Sequence, residues 1–240
     1  MNDWLSMKPV CPKCGKKSIV HYIRDKKRWI SAGYYCPKCD LIVRPNHSDP
    51  IIHRMDIMEF LNTTAEKFDL ILADPPYIYD TEAPRESDRI GNYYDQMTTE
   101  DICNLPISNI TEKKAVLFLW SPSPKVQDAM EIIKAWNFEY KTQIIWNKKY
   151  IGLGHNVRLR QQHEILLIAK KGDFPKPLYK PPSIIEEKRT DHSRKPEKAY
   201  EIIERMYPDS RKIELFARQV HSGWHGVGFE AIGKMYTKSD

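Results

Sequence analysis

The chain has 240 residues, 41% of them hydrophobic, with five cysteines and a formal net charge of +6. That length and apolar content exclude a disordered chain and allow one ordinary domain plus a small one around a sizeable core. No run approaches the roughly 18 consecutive apolar residues of a membrane span. The opening MNDWLSMKPVCPKC lacks the apolar core of a signal peptide, so a cytoplasmic protein with no membrane partner is expected.

The charge is unevenly placed. Residues 1–48 hold ten Lys or Arg against three Asp, a net of +7, while the rest of the chain holds 28 basic and 29 acidic residues. A compact positive module ahead of a near-neutral domain suits phosphate contacts with a polyanion, with a solvated charged face as the alternative. Within this module CPKCG (Cys11, Cys14) and CPKCD (Cys36, Cys39) form two Cys-x-x-Cys pairs separated by 21 residues. Each pair presents two sulfurs from one tight knuckle, and four thiolates at about 2.3 Å satisfy tetrahedral zinc. The β-type residues between them, around the turn-like RDKK, predict a small zinc ribbon of hairpins over residues 1–48. A chain of about 40 residues buries too little to fold alone, so the metal would supply much of its folding free energy. A zinc deaminase is excluded because none of the eight histidines is followed two residues on by Glu. Lys26, Lys27 and Arg28, interleaved with Tyr22, Trp29, Tyr34 and Tyr35, suit phosphate contact with base stacking, or simple packing of the ribbon. Cys103 stands alone and reads as a buried apolar cysteine.

RPNHSDP (44–50) reads as a linker to a second domain, residues 49–240. There FDLILA (68–73) is a strand buried on both faces that runs into Asp74, Pro75, Pro76 and Tyr77. Two prolines cannot continue a ladder, and the carboxyl ends of such strands are where open α/β sheets bind ligands. AVLFLW (115–120), TQIIW (142–146), EILLIA (164–169) and KIELFA (212–217) are further predicted strands. Val126, Ala129, Met130 and Ile133 share one helical face, as do Ala199, Ile202, Ile203 and Met206, with Pro196 at the first position of the second helix. Strands alternating with helices predict an α/β fold with a largely parallel sheet. Residues 78–98 and 171–195 resist assignment and have the length of functional lids. GLGHN (152–156) lacks the third glycine of a dinucleotide fingerprint, and His155 and His163, each taken alone, read as polar loop residues.

Four segments in fixed order, DIMEFLNTTAEKFDLILADPPY, AVLFLW, GLGHNVRLRQQHEILLIAKKG and HSRKPEKAYEIIERMYPDSRKIELFAR, carry a resemblance. Over residues 50–232 the chain resembles the N6-adenine methyltransferase family named after the catalytic subunit of the messenger-RNA adenosine methyltransferase (MT-A70-like), in its prokaryotic and phage DNA-modifying branch. The resemblance implies a Rossmann-like, S-adenosylmethionine-dependent domain with permuted motif order, preceded here by the four-cysteine zinc ribbon. It also implies that Asp74 and the Pro75 carbonyl accept the two N–H hydrogens of adenine's amino group. Pro76 would stiffen the loop and Tyr77 would stack on an extruded base. Asp56 and Ile57 match the segment holding the cofactor's adenine, and Asp74 borders the cofactor as well as the base. Lys195 matches a lysine near the methionine end, and Arg218 and Glu230 match residues near the ribose. Glu214 and Phe216 lie at the end of the last clear strand. Phe229 stands where the messenger-RNA enzyme has asparagine. Lys148, Lys149, His155, Asn156, Arg158 and Arg160 lie in a loop, 147–162, that with 78–98 would form the base-access channel and contact nucleic-acid backbone. The expected partner is DNA, with RNA as the alternative substrate, and a catalytically inactive nucleic-acid-binding scaffold is the alternative of another class.

Overall fold

The computed structural model describes residues 50–78, 96–149, 161–189 and 194–228 in full, and the backbone alone of strands at 19–25, 28–36, 41–43 and 232–233. Cys11, Cys14, Cys39, Lys26, Lys27, His155, Asn156, Arg158, Arg160, Glu230, the linker 44–49 and most of the loop 78–98 lie outside the described residues. Of Cys36 and Arg28 only the backbone is described.

Strands β1 (Ile19–Asp25), β2 (Arg28–Cys36) and β3 (Leu41–Val43) form an antiparallel sheet in that order. The second sheet has eight strands: β4 (Ile51–His53), β5 (Phe68–Ala73), β6 (Thr111–Pro122), β7 (Glu139–Asn147), β8 (His163–Lys171), β9 (Ile184–Glu186), β10 (Lys212–Leu215) and β12 (Trp224–Val227). Their spatial order is β4-β12-β10-β5-β6-β8-β7-β9. A short β11 (Gln219–Val220) pairs in parallel with β13 (Ile232–Gly233). Helices α1 (Ile57–Thr63), α2 (Thr99–Cys103), α3 (Val126–Ala135) and α4 (Glu197–Met206) connect the strands.

Unbroken apolar runs form the central strands because both faces of the sheet are covered. Ile71 and Ala73 of β5, Leu117 and Leu119 of β6, and Leu167 and Ala169 of β8 pack with α1, α2 and α3. Leu70 and Leu72, Val116 and Phe118, and Leu166 and Ile168 point the other way, onto α4. The result is a three-layer sandwich with a mainly parallel sheet, in which β8 alone runs against its neighbours, antiparallel to both β6 and β7.

Several expectations are corrected. The buried face of α3 is Ala129, Ile132 and Ile133, continuing into Trp136, whereas Met130 is 39% exposed; the same spacing holds with its origin three residues later. Pro196 is the N-cap of α4, and the helix begins at Glu197. The stretch 171–195 holds an edge strand, β9, which pairs in parallel with β7; three residues among prolines and charges are too few for a periodic signal. Cys103, expected to be buried, is partly buried at the end of α2, where burial pushes its thiol upward and away from reactivity.

β5 leads rightward in the order to β6, while β10, its other neighbour, leads on to β12. The crevice between β5 and β10 is therefore a topological switch point, where open α/β sheets place ligands. Register puts the strand ends side by side: Leu215 pairs with Ala73 and with Val227, and Val227 with His53.

Close packing beside this crevice has a checkable consequence. A Cβ at Gly226 would overlap the Val220 methyls, 2.9 Å from Cγ1. Gly226→Ala should lower the urea midpoint by an amount equivalent to about 1–3 kcal/mol, the usual cost of overpacking. Adding Val220→Ala should restore part of that loss.

Candidate active site

Asp74 leaves β5 at its carboxyl end, and the Asp-Pro-Pro-Tyr turn is pinned at several points. Tyr77 N donates to the Pro75 carbonyl at 3.0 Å and Met97 N to the Pro76 carbonyl at 2.9 Å. The Tyr77 hydroxyl donates to the Trp120 carbonyl at 3.1 Å, with the ring only 5% exposed. Tyr77 is thus an anchor of the turn, packed in the core.

The Lys195 ammonium lies between two carboxylates, 2.8 Å from Asp74 Oδ1 and 3.1 Å from Glu164 Oε2. Glu164 Oε1 takes the Lys148 ammonium. The Trp120 and Trp146 rings lie 5.4 Å and 5.2 Å from the Lys195 and Lys148 nitrogens. The cluster draws on four elements: β5 supplies Asp74, β7 leads into Lys148, β8 carries Glu164, and Lys195 precedes α4. Glu187 sets the start of α4, because Pro196 has no capping side chain. Its carboxylate accepts from the backbone of Glu197 at 2.9 Å and of Lys198 at 3.1 Å, while its carbonyl accepts from Trp146 Nε1 at 2.8 Å.

Burial is the largest influence on each of these charges. It pushes the Asp74 carboxyl upward, with Lys195 drawing it back and Glu164 adding repulsion, and the net direction is up. For Glu164 burial also pushes up, but Lys195 and Lys148 outweigh it and the carboxyl sits below its ordinary range. Burial works against the Lys195 ammonium, yet Asp74 and Glu164 together raise it, so it stays charged. Trp146, Lys148, Glu164, Arg189, Arg194 and Lys195 line an open cleft at this edge, basic enough to receive a carboxylate or a phosphate.

Glu214, at the end of β10, is 5% exposed and accepts from the Tyr200 hydroxyl at 2.8 Å, while its Oε2 is buried without a hydrogen-bond partner among the described residues. Phe216, next along, has a left-handed backbone (φ 61°), a conformation that costs an aromatic residue about 1–3 kcal/mol and collects at ligand sites. Asp56 caps α1, accepting from Met58 N at 2.8 Å and Glu59 N at 3.1 Å, both on Oδ1. Ile57 opens that helix half-buried, and Arg218 is exposed but close enough for its charge to act on Asp74. The β-strand ends therefore gather Asp56, Asp74, Glu214 and Phe216 along one edge. Lys149 stands apart, exposed and paired with Glu186 at 2.9 Å.

Sequence reasoning missed Glu164, Glu187, Trp120, Trp146 and Tyr200. Only Glu164 and Glu187 carried a signal, a charged residue beside an apolar run, as in HEILL. His163, expected in a loop, begins β8 and meets Ser123 Oγ at 2.7 Å.

Burial raises the Glu214 carboxyl to about 8 against the lowering effect of Tyr200. From the ordinary carboxylate value near 4.3 up to about 8, the folded chain keeps a proton that the unfolded chain has released. Stability therefore falls as pH rises through that window and levels off above it. Glu214→Gln should flatten this fall, gaining on the parent chain at pH 9 relative to pH 5 in urea unfolding.

Residues 68–230 match the MT-A70 family. The chain is 28% identical over 184 residues to the type II methyltransferase M.MunI of Mycoplasma sp., covering 69% of this chain and 78% of that protein. It is 30% identical over 178 residues to the N(6)-adenosine-methyltransferase catalytic subunit METTL3 of Homo sapiens, covering 70% of this chain and 29% of the relative. A putative N(6)-adenosine-methyltransferase MT-A70-like protein of Medicago truncatula is 27% identical over 207 residues, 83% of this chain and 31% of its own length. With the matched segment running from the first residue of β5 to beyond β12, and so containing Asp74, Glu164, Lys195 and Glu214, the chain belongs to the MT-A70 family.

Proposed function

We propose that the protein transfers a methyl group from S-adenosylmethionine to the exocyclic N6 amino group of adenine in DNA. The observation that carries this reading is the Asp74 carboxylate, fixed at the end of β5 by Lys195 on Oδ1. Its second oxygen is left to accept a hydrogen bond from an amine. The Pro75 carbonyl takes the Tyr77 amide on one lone pair and keeps another for the second N–H hydrogen. Sharing both hydrogens between these acceptors steers a delocalised, poorly nucleophilic nitrogen toward tetrahedral geometry with its lone pair free. Rate comes from positioning and preset dipoles.

The residues present fit the methyl donor. Glu214 Oε2 is buried without a partner among the described residues and, on a carboxyl that keeps its proton up to about pH 8, can donate to a ribose hydroxyl, and Asp56 keeps Oδ2 for the adenine edge alongside Ile57. Lys195 offers cationic charge to the amino-acid end, and Arg218, whose charge reaches Asp74, stands on the ribose side. When bound, the donor supplies an electrophilic methyl on a sulfonium. Stacking of a base on Tyr77 requires its ring to be uncovered.

Residues 1–48 form, in this proposal, a zinc module held by four cysteines and gripping nucleic acid, and residues 49–240 the catalytic domain. The three antiparallel strands at 19–43 support it, since their register brings Cys36 opposite Leu41, just beyond Cys39. DNA is favoured over RNA because the resemblance is to the prokaryotic, DNA-modifying branch of the family and the chain is similar to a type II methyltransferase over 78% of that protein.

Asp74→Ala should abolish methyl transfer while cofactor affinity, read by calorimetry, stays within about tenfold. Retained transfer would sink the mechanism, and absence of cofactor binding by the parent chain would favour the inactive scaffold. Methyl incorporation into matched DNA and RNA oligonucleotides decides the substrate, with faster DNA turnover expected.

A further inference from the structure

On the face of the sheet covered by α1, away from Asp74, lies a second group of side chains with no part in the proposed reaction. One donor atom from each of His53, Glu66 and His225 lies within 4.8 Å of the others. His53 ends β4, His225 is in β12, and Glu66 lies two residues before β5 begins. The two imidazole rings are stacked, 5.8 Å between centroids and 18° from parallel. Phe60 and Phe68 pack against them, at 4.6 Å from His53 and 4.8 Å from His225. In this apolar surround His53 Nε2 is buried with no hydrogen-bond partner among the described residues. His225 Nδ1 lies 3.2 Å from Glu66 Oε2 but without hydrogen-bond geometry. Two orphaned imidazole nitrogens facing one carboxylate call for a third party, because buried polar atoms in native proteins are paired.

We propose that His53, Glu66 and His225 form a divalent-cation site of the zinc class, tying edge strand β4 to β12 and to the turn that leads into β5. Two nitrogens and one carboxylate oxygen are a donor set that suits zinc and its borderline neighbours over magnesium or calcium. At bond lengths of about 2.1 Å, tetrahedral donors lie about 3.4 Å apart, so side-chain rotation from the present spread closes the site. The fourth position is open to water. Arg211 holds the other oxygen of Glu66, with Nη2 2.6 Å from Oε1, and thereby orients the ligating carboxylate, as outer partners do in metal sites. Burial pushes His53 and His225 below the ordinary histidine value, against the raising effect of Glu66.

The test uses the full-length chain, so that the four N-terminal cysteines are present in every sample. After dialysis against micromolar zinc chloride, the parent chain should retain one zinc more than His53→Gln, His225→Gln or Glu66→Gln, each checked for folding by circular dichroism. Zinc titration should show affinity for this site falling by about 100-fold when a donor is lost. With cobalt(II), the parent-minus-variant spectrum should show weak visible bands without thiolate charge transfer in the near ultraviolet. Zinc should also raise the melting temperature of the parent chain more than that of the variants. Equal zinc content in the parent chain and in folded Glu66→Gln, whose site of change is half exposed, overturns the proposal and leaves a stacked imidazole pair only. A thiolate signature in the cobalt difference spectrum overturns it as well.

Discussion

A single ammonium held between two carboxylates organises one end of this molecule. Lys195 is largely buried, and so are Asp74 and Glu164. Removing charges from water costs several kcal/mol per ion, so such a group persists only when each charge is met by another in good geometry. Here two cations, Lys195 and Lys148, meet two anions, and the sum is neutral. Because the four side chains come from β5, the end of β7, β8 and the approach to α4, none of these elements can shift without uncovering a charge. The ion cluster thus holds the strand ends of one side of the sheet to the helix that covers its other face, and it does so where the chain stops pairing and leaves room for a ligand.

The surrounding structure is built to keep that place open. Tyr77 ties the Asp-Pro-Pro-Tyr turn to β6 through the Trp120 carbonyl, Glu187 caps α4 where Pro196 cannot, and Phe216 accepts a strained backbone at the end of β10. The strain at Phe216 costs stability, and the Tyr77 and Glu187 hydrogen bonds help to offset it while fixing the geometry. Glu214 adds a buried acid whose second oxygen meets no partner among the described residues. An unpartnered acid oxygen, strain and preset charges gathered along one edge suit preorganised catalysis, since groups that need not rearrange lower the barrier most.

The β4 edge of the sheet has a different character. Around His53, Glu66 and His225 the packing is aromatic and the polar atoms look inward, toward one another. Glu66 precedes β5 and Asp74 follows it, so a tie at the first would stiffen the strand that presents the second. The edge strand β4 is only three residues long and gains little from its own ladder, which makes a side-chain tie at this edge physically useful.

Much of this was legible in the sequence, because local rules are short-ranged. Apolar runs of four to six residues named the central strands, the spacing of Ala199, Ile202, Ile203 and Met206 named α4 and its buried face, and two prolines after Asp74 marked where a strand must end. Four matching segments in order named the family. What the sequence could not supply was which distant residues meet. Nothing along the chain says that Lys195 reaches both Asp74 and Glu164, that His163 begins a strand beside Ser123, or that β8 runs against its neighbours. Nor does it say that Met130 faces water while Ile132 is buried. Those facts depend on strand order and register, which are settled by the simultaneous burial of both sheet faces and by the need of every buried charge for a partner. Composition and spacing determined the elements and the point where β5 must stop; only the folded sheet decided which charges and imidazoles came together.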